Sequence, residues 1–544
     1  MRNARQLTDS RFPIPDSGFP IPGSQFGNRK AVQAVRSAKN ASRAKPCNIK
    51  IAIFLICNME LLDTLIVGAG ISGLSLAHAL EAEATSASPL KILVAESQGR
   101  VGGNITTATA GGFLWEEGPN SFSPTPELMK LAVDVGLKQE LILADRKLPR
   151  FVYWQGKLQP VPMTPPAMIQ SQLLSFPGKL RALFGALGFV APAMGARLSR
   201  QGDEETVSQF FRRHLGPEVM QRLVEPFVSG VYAGDPQQLS AAAAFGRVTK
   251  MADLGGGLVA GALLSARKRP KKMPADPNVP STRPGELGSF KQGLKALPEA
   301  IAAQLGDRVK LNWHLKSLQR TERETYIAEF STPDGPQQVE ARTVVLTTPA
   351  YVTAELLQPL QPFVSSALQA FTYPTVACVV LAYPVSDVKE KLVGFGNLIP
   401  RGQGIRTLGT IWTSSLFASR APAGWQTLSS YIGGATDSEI GNLDSEQIVR
   451  EVHRDLSRIL LKPSAAQPKV LAVNVWKRAI PQYNLGHFDR LQQIDRGLKS
   501  LPGVFLCSNY VGGVALGDCV RRGFERAPQV REYLQNKQSD SRSI

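Results

Sequence analysis

The sequence predicts an α/β chain. It comprises a discontinuous, Rossmann-like dinucleotide-binding domain, a mixed-sheet substrate domain and a helical insertion suited to a membrane surface. Three observations predict this. First, an apolar β-branched run, a Gly-x-Gly-x-x-Gly turn, a helical run and a second apolar run ending in an acid succeed one another over residues 64–96. Second, another strand followed by a glycine-rich turn and a helix occupies residues 502–518. Third, the 544 residues are 43% hydrophobic and 19% charged, enough to bury a large core. No run approaches the ~20 consecutive apolar residues of a membrane span.

Residues 1–58 stand apart. They hold ten Lys/Arg against Asp9 and Asp16, so they carry +8 of the chain's +18 and leave +10 for the rest. Phe12-Pro-Ile-Pro recurs as Phe19-Pro-Ile-Pro, and no period supports a packed element. Two readings stay open. One is a basic, acid-poor leader of the organelle-transit type, here to a chloroplast. The other, which we favour, is an upstream extension with Met59 as the true start. That start would leave the protein cytoplasmic, or peripheral on an internal thylakoid or plasma membrane. The basic balance admits a solvated surface or an anionic small substrate. No nucleic-acid module is visible. Cys47, Cys57, Cys378, Cys507 and Cys519 form no CxxC pair, and the five histidines form no HxxxH, so no metal is expected.

Thr64–Val67 reads as a buried parallel strand. Gly68, Ala69, Gly70, Ile71, Ser72 and Gly73 come next, then Leu74, Leu76, Ala77 and Leu80 at helical spacing. Gly68 makes the tight turn, Gly70 lets backbone approach a pyrophosphate, and Gly73 lets helix and strand close together. The pyrophosphate would sit at the helix N-terminus. The strand Lys91–Ala95 ends at Glu96, 23 residues after Gly73, where it can accept bonds from a ribose 2′-hydroxyl.

The segment after Glu96 selects the cofactor. Ser97, Arg100, Gly102, Gly103 and Asn104 resemble the extended signature of the flavin-containing amine oxidase superfamily. The resemblance implies one non-covalent FAD per chain, with Arg100 neutralising phosphate and the paired glycines admitting the cofactor. It also implies that Gly118, Pro119, Asn120 and Ser121 back the isoalloxazine. Val514, Ala515 and Leu516 would set amides and a helix N-terminus beside the flavin pyrimidine. Leu315, after the strand 308–312, would lie near the adenine.

The middle of the chain narrows the family. Val224–Phe227 and Gly230–Pro236, with Ser289–Pro298, Gly394–Pro400 and Leu408–Phe417, resemble the oxygen-dependent, FAD-containing protoporphyrinogen oxidases over residues 60–535. The implied reaction is oxidation of protoporphyrinogen IX to protoporphyrin IX in haem or chlorophyll biosynthesis, with O₂ reduced to H₂O₂. No catalytic side chain is expected beyond the flavin, with Asn120 as the flavin-face candidate; the alternative makes Asn120 a turn residue. Arg150 matches the family position for a substrate propionate, where a bidentate Arg–carboxylate pair is the physical basis. Its alternative is a surface Arg on a strand edge. Leu398 and Phe417 are candidates to sandwich the macrocycle, or are core.

Two apolar stretches, Leu183–Gly195 and Gly255–Ser265, the second leading into the cations of Arg267–Lys272, fit membrane-surface binding or a buried helix pair. The expected divisions are a leader at 1–58, FAD-binding segments at 59–145, 285–347 and 476–535, a helical insertion at 146–284 and a substrate domain at 348–475. Expected partners are the porphyrinogen, O₂, a membrane surface, a second copy of the chain and ferrochelatase as pathway neighbour. Coproporphyrinogen III oxidation on the same fold is the first alternative; an amine oxidase or carotene desaturase is the second.

Overall fold

The computed structural model describes residues 60–82, 89–190, 204–255, 257–267, 276–283 and 285–542. The expected leader lies outside them, as do residues 191–195 of the first apolar stretch, residue 256 of the second and residues 268–272 of the cations that follow it. Glu60–Ile544 forms one unit.

Leu61–Val67 is the central strand of a seven-stranded sheet. It runs parallel to Ile92–Ala95 on one side and to the end of Gly335–Leu346 on the other, with Ile66 opposite both Val94 and Val345. Gly335–Leu346 is long enough to serve two partners: its first half pairs antiparallel with Tyr326–Thr332, its last residues parallel with Val504–Leu506. The near-continuous apolar run arises because both faces are covered. Ile66, Val94 and Val345 face helices Ile71–Ala82, Pro126–Asp134, Ala296–Leu305 and Leu516–Arg542. Leu65, Val67, Leu93 and Leu346 face a second core that includes residues of helices Ala350–Leu357, Pro362–Gln369 and His487–Leu498. Strands from residues 61–95, 309–346 and 504–506 thus lie in one sheet.

A second seven-stranded sheet is mixed. Its order is Lys469–Trp476, Val376–Pro384, Trp425–Gly433, Thr407–Ile411, Gly396–Leu398, Arg150–Trp154 and Lys157–Pro160. The last two strands differ from the helical insertion expected over 146–284, because residues 150–160 join this mixed sheet. Gly396 pairs with Arg150 and Leu398 with Val152, in parallel. The reason is local: Phe151, Val152, Tyr153 and Trp154 favour a strand, and Gln155-Gly156, both at positive φ, close a tight hairpin.

The insertion proper begins after Pro160 and is helical. Thr164, Ser175, Thr206 and Ser240 cap four of its helices. A π-helical turn at Met220–Val224 precedes helix Glu225–Tyr232 and carries Arg222 over the Trp154 ring at 4.7 Å. The insertion is thereby tied to the edge of the mixed sheet.

Candidate flavin and substrate site

The glycine turn closes on itself as its spacing predicts. A Cβ on Gly73 would lie 2.1 Å from the Gly68 carbonyl oxygen, and one on Gly68 would lie 2.7 Å from Thr347 Oγ1. A Cβ on Gly70 would meet nothing within 4 Å. That open space, at the mouth of helix Ile71–Ala82, is where backbone can approach a phosphate. Ile71 and Ser72, the first helical residues, are buried against the core. Glu96 is buried; its carboxylate accepts from the Ala69 amide at 2.8 Å and the Gln98 amide at 2.9 Å, with Ser97 Oγ at 3.3 Å. Glu96 thus already ties the second strand's end to the glycine turn, with acceptor capacity to spare for a ribose.

The next loop lies on the first. Gly102 donates to the Ala69 carbonyl at 2.9 Å and forms a bridge with Gly70. Gly102 sits at φ +100°, so a side chain there would be strained. Arg100 directs its guanidinium into its own loop, donating to the carbonyls of Gly103 at 2.8 Å and Val101 at 3.2 Å. In this structure it shapes the loop. The carbonyl of Asn104, itself exposed, leaves no room for a side chain at Gly118, where a Cβ would lie 2.2 Å away.

Gly118, Pro119 and Ser121 are half-buried, whereas Asn120 is buried. Neither polar atom of the Asn120 amide has a hydrogen-bond partner. A buried, unpaired amide is costly. It marks the position where a ligand with ring nitrogens or carbonyls fits, and with the open space at Gly70 it makes this chain compatible with a bound dinucleotide flavin.

At the far end, Tyr483 pins the turn between Val504–Leu506 and helix Leu516–Arg542. Its hydroxyl donates to the Asn509 carbonyl and accepts from the Gly513 amide at 2.7 Å. Burial pushes this phenol well above its ordinary pKa, so it stays protonated. Val514 and Leu516 are half-buried, and Ala515 is exposed, its carbonyl accepting from Asp518 and Cys519 as the helix starts. Leu315 has its side chain in the core with Val67 and Leu93. Only its backbone is left for an adenine.

The substrate candidates converge in part. Arg150 donates to the Gly285 carbonyl at 3.0 Å and stacks 5.3 Å from the Phe395 ring. Phe395 in turn packs on the cluster of Ala144, Leu416 and Phe417, so Arg150 stands beside the cluster that holds Phe417. Phe417 is buried, 4% exposed. Leu398 is half-buried and sits elsewhere along its strand, between Gly230 and Gly409, where a Cβ on either would strike its Cδ2.

Sequence reasoning missed Glu116 and Arg420, each 1% exposed. Glu116 accepts from Thr107 Oγ1 at 2.5 Å and the Leu294 amide at 2.9 Å. Burial raises its pKa to about 7, outweighing Arg420 at 3.9 Å, whose donors go to Ser289, Phe290 and Lys291. The sequence carries no signal for the pair beyond the two acids, Glu116 and Glu117, before Gly118. Among the described residues, no group of three or more His, Cys, Asp or Glu could hold a metal ion.

Comparison with known proteins decides the family. A profile described as "Flavin containing amine oxidoreductase" matches residues 71–531. This chain belongs to that family. Its fold is the family's α/β arrangement with mixed sheets, and its cofactor is a flavin. A relative from Oryza sativa subsp. japonica, named "Protoporphyrinogen oxidase, chloroplastic", is 46% identical over 484 residues, covering 87% of this chain and 88% of that protein. A "Coproporphyrinogen III oxidase" from Bacillus subtilis (strain 168) is 29% identical over 482 residues, covering 86% and 98%. A solved structure from Exiguobacterium sp. 255-15 matches with TM-score 0.69 at 24% identity, covering 87% of this chain and 99% of that one. That likeness shows the fold alone.

Proposed function

We propose that this flavoprotein oxidises protoporphyrinogen IX to protoporphyrin IX in haem or chlorophyll biosynthesis, with O₂ as acceptor and H₂O₂ as product. The observation that carries the reading is 46% identity, over 87% of the chain, to a protein named a protoporphyrinogen oxidase. FAD, held non-covalently, is the flavin we assign, because the glycine turn and Glu96 suit the adenosine-diphosphate half of a dinucleotide. Held beside Asn120 and the glycine turn, FAD would supply two-electron redox chemistry, so a six-electron oxidation would need three rounds and three O₂. The chain's own residues orient and desolvate: Asn120 offers a buried amide to the ring, and Arg150 offers a cation to a propionate.

Coproporphyrinogen III is the second substrate to test, since relatives with that name align at 29% identity. Aerobic assay of the purified protein on both porphyrinogens, following porphyrin fluorescence and H₂O₂, decides between them. Faster turnover of protoporphyrinogen supports the reading; turnover of coproporphyrinogen alone overturns it.

We also infer binding to a membrane surface. No helix among the described residues is long and apolar enough to cross a membrane. Yet Ile169, Phe176, Phe189 and Leu263 are 74%, 73%, 72% and 63% exposed. Phe176 stands on helix Phe176–Ala186 and Leu263 on helix Leu258–Arg267, and Gly257 abuts Gly188 just beyond the first helix, which supports a shared apolar surface. Replacing Phe176 and Leu263 by Glu should reduce co-flotation with anionic vesicles; unchanged flotation would reject this surface. Chloroplast residence, with residues 1–58 as the address, is the location suggested by the relatives' names.

A further inference from the structure

Three neighbouring strands of the mixed sheet place Asn474, Cys378 and Tyr431 in one cross-strand row. Trp476 lies two residues beyond Asn474, on the same face by the strand period. All four address one stretch of backbone. Cys378 Sγ reaches the Glu116 carbonyl at 3.8 Å. Asn474 Nδ2 and Trp476 Nε1 donate to the Glu117 carbonyl at 3.2 and 2.9 Å. The Tyr431 hydroxyl donates to the Gly118 carbonyl at 3.0 Å. Three consecutive carbonyls are thus held from the substrate sheet, directly before Pro119 and Asn120.

We propose that Tyr431, Asn474 and Trp476 are positioning residues that set the Gly118–Ser121 segment, and through it the Asn120 amide, against the flavin ring. The proposal rests on the reading of Asn120 as a flavin-face residue. Its physical basis is that a loop alone does not hold a side chain to the fraction of an ångström that ring contacts need. Here the freedom is removed on every side. The Gly118 carbonyl is tied to Tyr431, its Cα is blocked by the Asn104 carbonyl, and Pro119 restricts the next φ. Burial pushes the Cys378 thiol up to about 12 and the Tyr431 phenol well above its ordinary range, so both remain donors across physiological pH.

The clamp has a geometric consequence. Tyr431 and Arg150 stand on strands of the same sheet, three strand spacings apart, or about 14 Å. The face that holds the flavin and the cation that would hold the substrate carboxylate are therefore registered through a single sheet.

The test is a double-mutant cycle on the flavin-loaded enzyme. Its readout is the rate of flavin reduction by protoporphyrinogen without oxygen, together with the flavin absorbance spectrum. Tyr431→Phe removes one donor and should slow reduction about 5- to 10-fold, with flavin content preserved. In an Asn120→Ala background the same substitution should slow it less than about 2-fold, because the group it positions is gone. Trp476→Phe should behave alike, and it carries the cycle if Tyr431→Phe does not fold. Equal losses in both backgrounds, or unchanged rates in both Tyr431→Phe and Trp476→Phe, overturn the proposal. A wild-type flavin that no porphyrinogen reduces overturns the underlying reading and the clamp's role with it; an additive cycle in active enzyme overturns the clamp alone.

Discussion

Gly70 and Gly73 sit three residues apart in one turn, yet a methyl group should act on them in opposite ways. At Gly73 the added Cβ would lie 2.1 Å from the Gly68 carbonyl oxygen and 2.9 Å from Thr347 Oγ1. Reaching even a tight 3.0 Å contact with that oxygen requires backbone to move about 0.9 Å. Overpacking of this kind costs about 1–3 kcal/mol and should lower Tm by several degrees even without flavin. At Gly70 the Cβ meets nothing, so Gly70→Ala should leave the apo-protein's stability within about 0.5 kcal/mol of the original. The methyl instead occupies the space for the pyrophosphate. Losing one charge-assisted hydrogen bond there costs about 1.5–3 kcal/mol, or roughly 10- to 150-fold in Kd. The assay is titration of each apo-protein with FAD, following flavin fluorescence, beside calorimetry of the same samples. Gly70→Ala that binds FAD as tightly as the original would refute the placement of the phosphate.

Three more outcomes are expected. Arg150→Ala should raise KM for the porphyrinogen about 10-fold or more while kcat changes less than about 3-fold; a lost kcat with an unchanged KM would reject the anchoring role. Glu116 holds its proton more tightly folded than unfolded, with a pKa raised from 4.5 to about 7, so its contribution to stability is full below about 4.5 and is lost as pH rises through about 7. The loss is on the order of 3 kcal/mol, and Glu116→Gln should flatten the decline in unfolding free energy between pH 5 and 8. Tyr483→Phe breaks both ties of the Asn509–Gly513 turn. It should weaken FAD binding about 5- to 30-fold in the same titration, and unchanged binding would place that turn away from the flavin.

Features local in the chain were legible in the sequence. The fingerprint from Thr64 to Glu96 needs only a strand, a turn and a helix in succession, and each glycine's task follows from the space around it. The hairpin at 150–160 was not legible, and its residues fall within the expected helical insertion, because its partner strand Gly396–Leu398 is remote in sequence. Arg100 shows the limit of a motif: the residue stands where the pattern puts it, but its donors go to its own loop. Leu315 shows another: the strand expected at 308–312 is only Val309–Lys310, and Leu315 lies in the next strand, His314–Arg320, which buries its side chain. The clamp on residues 116–118 was invisible because its bonds span 313, 357 and 359 residues. No period or spacing encodes such contacts; they exist only once two sheets meet.

The central claim is that this chain binds FAD and passes electrons from protoporphyrinogen to it. It is tested most directly by mixing the flavin-loaded protein with protoporphyrinogen IX in the absence of oxygen. The account predicts that the flavin's visible absorbance bleaches as porphyrin fluorescence appears, and that admitting oxygen restores the absorbance with release of H₂O₂. A flavin that stays oxidised at saturating protoporphyrinogen, in protein that carries one FAD per chain, would contradict it.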